Sequence, residues 1–384
     1  MKFRISKLSF FFLLIFLIAL TSCVLTPSGS LYSTHDYLLI LNSTGNVVLP
    51  YDITSNFQPD DPVAVGPSEN TNYAPQQIIL SDDENYIYII NSSDNSITKF
   101  TRNLYYLTRY ALPAGSNPYN GFIEGSYMYI SAYVSGTVIK LNLTTSAYIQ
   151  SDSLYTQNNG IQAIANLNSD CLITINTNFN SSSFTYENSI IYILDKNTLS
   201  KIQEFELSSS FIGQPLKNFQ QVYVHQQADG IYCDLIATGS YGISQDSGFL
   251  RIKLTKNGSQ FLITKVSSDI LPSGEYFGAI SSVYNNYLYI ISNKAIYKTA
   301  MNSSTVNFTS GIEKNSNVNG KENLSLIVVG ETSSSSYIAI VDTPWGTPAS
   351  FSIKPLISDF SSISFSNYME FSGYPVGLII RKGR

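Results

Sequence analysis

Charge is scarce in this chain: Asp, Glu, Lys and Arg together make up 13% of its 384 residues, about half the usual share. Solubility must therefore come from Asn, Ser and Thr. The net charge of −5 comes without any run of Lys or Arg, which argues against nucleic acid as a partner, because that binding needs clustered cations on the phosphates. Histidine is nearly absent. With only His35 and His225 in the chain, and His35 ahead of the first strand pattern, a multi-histidine metal site is excluded and neither metal nor cofactor is expected. His225 reads as a satisfied buried imidazole. Gly-x-Ser-x-Gly, the Walker loop and the dinucleotide fingerprint are all missing, so no catalytic residue is assigned. Asp52, Asp60, Asp61 and Glu69 share an irregular stretch but lack the Asp-x-Asp-x-Asp-Gly order of a calcium loop, and they read as solvated. Beyond Cys23 only Cys171 and Cys233 remain. Each sits in an apolar strand-like run, where a buried free thiol is expected, with a disulfide left open for an exported protein.

Long hydrophobic runs are missing too. Residues 8–20 are apolar but fall short of the ~20 residues that span a bilayer, and later runs such as Tyr86-Ile87-Tyr88-Ile89-Ile90 have strand length. Behind the basic Lys2, Arg4 and Lys7, the short apolar segment is an export signal. It closes on Leu20-Thr21-Ser22-Cys23, which resembles a bacterial lipoprotein signal. The alternative is an ordinary secretory peptide with a cysteine near its cleavage point. The resemblance implies that residues 1–22 are removed and that Cys23 carries diacylglycerol on sulfur and a third chain such as palmitate on its amine. Two lipid signals already suffice for stable anchoring. Residues 23–35, small and polar, make a tether, and residues 36–384 make the folded body. Val24 is non-acidic, which in enteric-type bacteria goes with the outer membrane, so the expected place is the cell envelope, at the outer membrane or cell surface.

What the chain has in plenty is a repeat, with a period of roughly 40 to 50 residues. One unit runs from Pro75-Gln76-Gln77 through Tyr86-Ile87-Tyr88-Ile89-Ile90 and Ser96-Ile97-Thr98-Lys99-Phe100 to Leu112. The next runs from Asn117-Pro118-Tyr119 through Tyr127-Met128-Tyr129-Ile130 to Leu154. Each holds four strands, and the second is apolar on both faces, which requires sheets packed against both sides. Further units fall near residues 161–207, 219–267, 276–311 and 323–360. The ends complete the count. Residues 372–380 match an innermost strand with no second strand after it, and Tyr37-Leu38-Leu39-Ile40-Leu41 matches a second strand with no innermost strand before it. The expected fold is all-β: a seven-bladed β-propeller of four-stranded blades, closed by pairing of the N- and C-terminal strands in one blade so that no edge is left open.

At Asn117-Pro118-Tyr119, Asp82-Asp83-Glu84-Asn85 and Ser135-Gly136-Thr137-Val138-Ile139 the repeat resembles the YVTN-type, surface-layer-like propellers of the wider NHL and quinoprotein-like superfamily. The resemblance is degenerate in the units from Ile161 and Phe219, which carry expanded loops. Its motifs define a shape and not a chemistry.

Propellers usually bind at one mouth of the central channel. Aligning the innermost strands on Pro75, Pro118 and Pro375 puts Gln77, Asn120, Gln162 and Gln221 at one level, with Gly278 and Gly377 in two other blades. Such amides can hydrogen-bond sugar hydroxyls or a peptide backbone, or they can hold channel water and one another. Tyr119, Tyr276 and Tyr374 lie just before these strands and offer stacking faces. The expected function is that of a monomeric, lipid-anchored, non-enzymatic module for a protein, peptide or glycan. The rival is a lactonase or quinoprotein-like enzyme working at the channel, and a third option is an assembly scaffold using Trp345, which otherwise packs on a neighbouring blade.

Overall fold

A computed structural model describes residues 34–67, 71–155, 158–240, 244–303, 305–308 and 312–384. Cys23, the export segment, the tether as far as residue 33, and Glu69 lie outside the described residues.

Seven antiparallel sheets form the blades of a ring. Blade 1 comprises Pro75–Leu80, Tyr86–Asn91, Ser96–Thr101 and Tyr106–Ala111, from the axis outward. Blade 2 opens with Pro118–Glu124, blade 3 with Asn159–Asn166, blade 4 with Phe219–Gln227, blade 5 with Ser282–Tyr284 and blade 6 with Leu324–Glu331. The last blade is composite. Its innermost strand is the C-terminal Pro375–Arg381, paired antiparallel to Tyr37–Asn42 with Leu39 opposite Ile379, and Val47–Asp52 follows outward. The ring is therefore closed by the two ends of the chain.

The second strands explain why the blades stack. In Tyr37–Asn42, Leu38 and Ile40 enter one core with Val341 and Phe351 of blade 6, while Tyr37, Leu39 and Leu41 enter another with Ile87 and Ile89 of blade 1. Strand period two thus sends alternate residues of one strand into two different interfaces. Blade 1 repeats the division: Ile87 and Ile89 face the composite blade, and Tyr88 and Ile90 face blade 2. A strand apolar on both faces is the signature of a sheet with neighbours on both sides, as the sequence implied.

Innermost strands begin on what we call the upper face of the ring and run to the lower face. In six of the blades the register slips by one residue at the upper end, as between Pro75 and Gln77 or between Phe219 and Gln221. Such a bulge turns the strand entry. Blade 5 departs further. Phe277 bridges Ser292, and Ile280 bridges Leu326 in parallel, so this strand leans across to blade 6 before it rejoins its own sheet. Gly278 permits the lean, because a Cβ there would lie 2.4 Å from the Ser325 carbonyl oxygen.

Two outer strands fall later than the repeat suggested. In blade 5 the outer strand is Glu313–Asn315, and in blade 6 it is Met369–Phe371, well past residue 360. The delay in blade 6 comes from a non-repeating segment whose Phe360, Ile363 and Phe365 plug the core shared with blade 5.

His35 Nδ1 lies 2.5 Å from Asp52 Oδ2, and Asp36 accepts hydrogen bonds from Ser333 of blade 6 and from the Gly383 amide. Burial pushes the Asp52 carboxyl upward, but hydrogen bonds from His35 and Ser55 outweigh it and leave the pKa below the usual value. These contacts lie where Tyr37 meets Arg381, at the lower face. The chain therefore enters the ring from below. Cys171 and Cys233 are both buried and unpaired, in neighbouring blades 3 and 4.

Candidate functional site

Along the axis runs a channel of about 600 Å³, within the ~300–1,000 Å³ range of small-molecule sites. Its upper part is lined by Gln76, Gln77, Tyr119, Asn120, Gln220 and Gln221, and its deeper wall includes Phe122, Ile164, Val222, Val224, Ile280 and Leu326. Among the described residues, no Asp, Glu, His, Lys or Arg belongs to the lining. Among the described residues, no group of three His, Cys, Asp or Glu is placed to hold a metal ion.

The amide ring resolves into separate uses. Gln77 accepts a hydrogen bond from the Gly121 amide at 2.7 Å and so ties blade 1 to blade 2. Gln221 does the same between blades 4 and 5: its Oε1 accepts from the Ser281 amide and the Tyr223 hydroxyl, each at 2.9 Å, and its Nε2 donates to the Gly278 carbonyl. Both are braces. Asn120 keeps its side-chain amide unbonded while its backbone exchanges hydrogen bonds with Ser131. Gln162 does not share their level. The structure aligns Ile161 with Pro75 and Pro118, so Gln162 occupies the bulge and Ala163 takes the amide level. Gln162 is buried beside the channel rather than lining it, and its Oε1 has no hydrogen-bond partner.

Residues one step earlier were not singled out from the sequence. Gln76 and Gln220 sit in the bulges and line the mouth. Ser281 and Ser325 also belong to the channel wall, but their hydroxyl oxygens are buried inside it, without partners. Ser281 comes from the leaning strand of blade 5, which the repeat pattern did not foretell.

Of the three tyrosines, Tyr119 and Tyr374 belong to the channel mouth. Tyr276 is exposed on the upper face, and its backbone amide donates to Asn293 Oδ1. Tyr119 lies 6.0 Å from Tyr133, ring centre to ring centre. Burial first, then the neighbouring phenols of Tyr186, Tyr133 and Tyr374, push the Tyr119 hydroxyl up to about 12. It stays neutral. Tyr186 belongs to a hairpin above the ring in blade 3, where its ring lies 5.0 Å from that of Phe179, and Phe184 projects from the tip.

The remaining candidates fall elsewhere. His225 stacks on Tyr232 and has its Nε2 buried without a hydrogen bond, 3.6 Å from Asp234 Oδ1. It is outside the channel lining. Asp52 and Asp60 are separate, the first bonded to His35 and the second accepting from the Tyr37 hydroxyl at 2.7 Å. Trp345 does not pack on a neighbouring blade: it is 97% exposed, on an upper-face turn of blade 6.

No family model matches the chain, and no curated protein matches it. Solved structures do. A protein from Lactobacillus plantarum superposes with a TM-score of 0.62 at 12% identity, over 90% of this chain and 99% of its own. Virginiamycin B lyase from Staphylococcus aureus gives 0.52 at 13% identity, over 79% and 91%. The β-propeller domain of Cps50 (Swd1) from Myceliophteria thermophila gives 0.51 at 10% identity, over 81% and 94%. At such identities the likeness speaks for architecture alone, and that architecture is the seven-bladed β-propeller.

Proposed function

We propose that the protein is a lipid-anchored, non-enzymatic binding module of the cell envelope that turns the upper mouth of its propeller toward a partner. One observation carries this reading. The three most exposed large apolar side chains among the described residues are Trp345 at 97%, Phe184 at 81% and Tyr374 at 59%, and all three stand on upper-face loops. Scattered exposed apolar residues need no explanation, but a set gathered on one face with a channel mouth does. The chain enters on the opposite face, so a tether from Cys23 holds the membrane below and leaves the mouth pointing away from it. An enzyme at this mouth would need a nucleophile, an acid or base, or metal ligands, and the lining supplies none of the charged or imidazole groups that do such work.

The test uses intact cells. Cys23→Ser should shift the protein from the membrane to the soluble fraction and abolish incorporation of a palmitate analogue. The triple variant Trp345→Ser, Phe184→Ser, Tyr374→Ser should keep its unfolding midpoint to within a few degrees, since exposed positions change stability by only about 0.5 kcal/mol each, yet lose its envelope cross-links. Membrane retention of the Cys23 variant would remove the anchor. Unchanged cross-links in the triple variant would remove the upper face.

A further inference from the structure

Every blade ends outward in a strand with one edge unpaired, and a bare edge is a template for another strand unless charge or proline blunts it. Six of the outer strands carry such a guard: Arg109 in blade 1, Lys201 in blade 3, Lys265 in blade 4, Glu313 in blade 5, Glu370 in blade 6 and Pro59 in the composite blade. Tyr148–Gln150, the outer strand of blade 2, has none. Residues 142–151 contain no charge at all, and residues 144–150 are all exposed, with Tyr148 at 45% and Ile149 at 44%.

The hydrogen bonds of this strand show which of its groups are spare. Asn142 donates its amide to the Ala147 carbonyl at 2.8 Å, and Ser151 donates to the Val138 carbonyl at 2.9 Å. Between these two pairs Lys140 stands opposite Ile149. Bonded and non-bonded positions alternate along an antiparallel ladder, so the main-chain groups of Ile149 point inward. Those of Tyr148 and Gln150 point out, bonded to none of the described residues.

We propose that this edge pairs with the same edge of a second copy, antiparallel about a two-fold axis through Ile149, in place of the monomer expected from the sequence. The pattern is its own complement. Tyr148 would exchange main-chain hydrogen bonds with Gln150 of the second copy, Gln150 with Tyr148, and Ile149 would meet Ile149 on the axis, which is the isologous contact of a symmetric dimer. No like charges are opposed, because Asp152, the nearest acid along the strand, falls against Ser146 of the other copy. This match of the edge with itself favours a second copy over a strand from another protein. Orientation agrees. Neighbouring strands turn by about 20–25°, so the fourth strand of a blade lies roughly 60–75° from the first, closer to the plane of the ring than to its axis. A two-fold axis normal to the sheet there stands near the ring axis and keeps both upper mouths on one side, as two rings tethered to one membrane require. The contact is small. A strand this short buries less than the ~1,200–2,000 Å² of a stable interface, so the dimer is weak in solution and favoured where tethers hold the chains close.

Ile149→Cys tests the axis, in the full chain with Cys171→Ala and Cys233→Ala. Two cysteines there would face each other with Cα atoms about 4.5 Å apart, within disulfide reach. Mild oxidation should link two chains about tenfold faster than in Thr144→Cys, which is exposed but off the axis. Gln150→Pro removes an outward N–H that the blade does not use. It should keep the unfolding midpoint and weaken the dimer, read by sedimentation equilibrium, about tenfold or more. Ile149→Lys, which would set two ammonium groups face to face, is the second variant if the proline chain fails to fold, with the same loss expected. Equal linking rates at the two cysteine positions would overturn the proposal. So would a monomer at every concentration, or a dimer indifferent to these substitutions.

Discussion

Deleting residues 375–384 should leave a chain that no longer unfolds cooperatively and that aggregates, although every strand of the other six blades is kept. The segment supplies the innermost strand of the composite blade, where Leu378 and Ile380 are buried and Val376 and Ile379 are partly so. Full burial of such side chains contributes about 1.5–3 kcal/mol each, so Leu378 and Ile380 alone, with a smaller share from Val376 and Ile379, take a large part of the margin of a folded protein, about 5–15 kcal/mol. The loss does not stop there. Tyr37–Asn42, with Leu38, Ile40 and Leu41 fully buried, would be left with a bare edge on the axis side, and such an edge pairs with other chains. Removal of the segment also strips Asp36 of the Gly383 amide and His35 of the Arg381 guanidinium on its carbonyl. Circular dichroism, thermal unfolding and size exclusion read the outcome. A soluble monomer with a sharp transition would count against the closure.

The second large effect is expected far from the ends. Asp234 and Arg251 face each other across two strands of blade 4, both completely buried, with Nε to Oδ1 at 2.5 Å and Nη2 to Oδ2 at 2.7 Å. Such a bidentate pair is among the stronger hydrogen-bonded contacts. Arg251 also donates to the Ser303 carbonyl, which ties blade 4 to the lower loop of blade 5. Asp234→Ala would leave a guanidinium buried among backbone carbonyls alone, and breaking one side of a buried pair costs about 3–5 kcal/mol. Replacing both partners by apolar residues of similar size, Asp234→Leu with Arg251→Met, should cost less than the single change, because no charge is stranded. Urea midpoints of the three chains decide it. A single variant within about 0.5 kcal/mol of the parent would mean that the pair is solvated.

How much of this the sequence carried depends on burial. The second strands and the closure were legible because their residues are apolar on both faces, a pattern few other settings produce, and Tyr37-Leu38-Leu39-Ile40-Leu41 shows it at full strength. The outer strands of blades 5 and 6 were not. Glu313–Asn315 has two exposed charged residues in three positions, so it leaves no periodic trace. The amide level was found in blades 1 and 2, where a proline marks the strand entry, and in blade 4, where Phe219 takes the proline's place. Blade 3 enters on Gly160-Ile161 instead, which put Gln162 one residue out of step, and in a strand one residue is the opposite face. The sequence also could not separate a brace from an uncommitted amide. Gln77 and Asn120 occupy the same register position, and only the Gly121 amide within reach of Gln77 makes the first structural and leaves the second free. Phe184 and Trp345 sit on loops, where no periodicity speaks for orientation, and their exposure is known only from the fold.

The pairing of the two chain ends is the claim on which the ring, the channel and the opposition of mouth and tether all depend. Leu39 and Ile379 lie directly opposite in that pair, and opposed residues of antiparallel strands, with Cα atoms about 4.5–5.5 Å apart, are within disulfide reach. In a chain with Cys171 and Cys233 replaced by alanine, Leu39→Cys with Ile379→Cys should oxidise to an intramolecular disulfide that joins the N- and C-terminal proteolytic fragments. Absence of that bond in the folded, oxidised protein, or its formation only between two chains, would contradict the account.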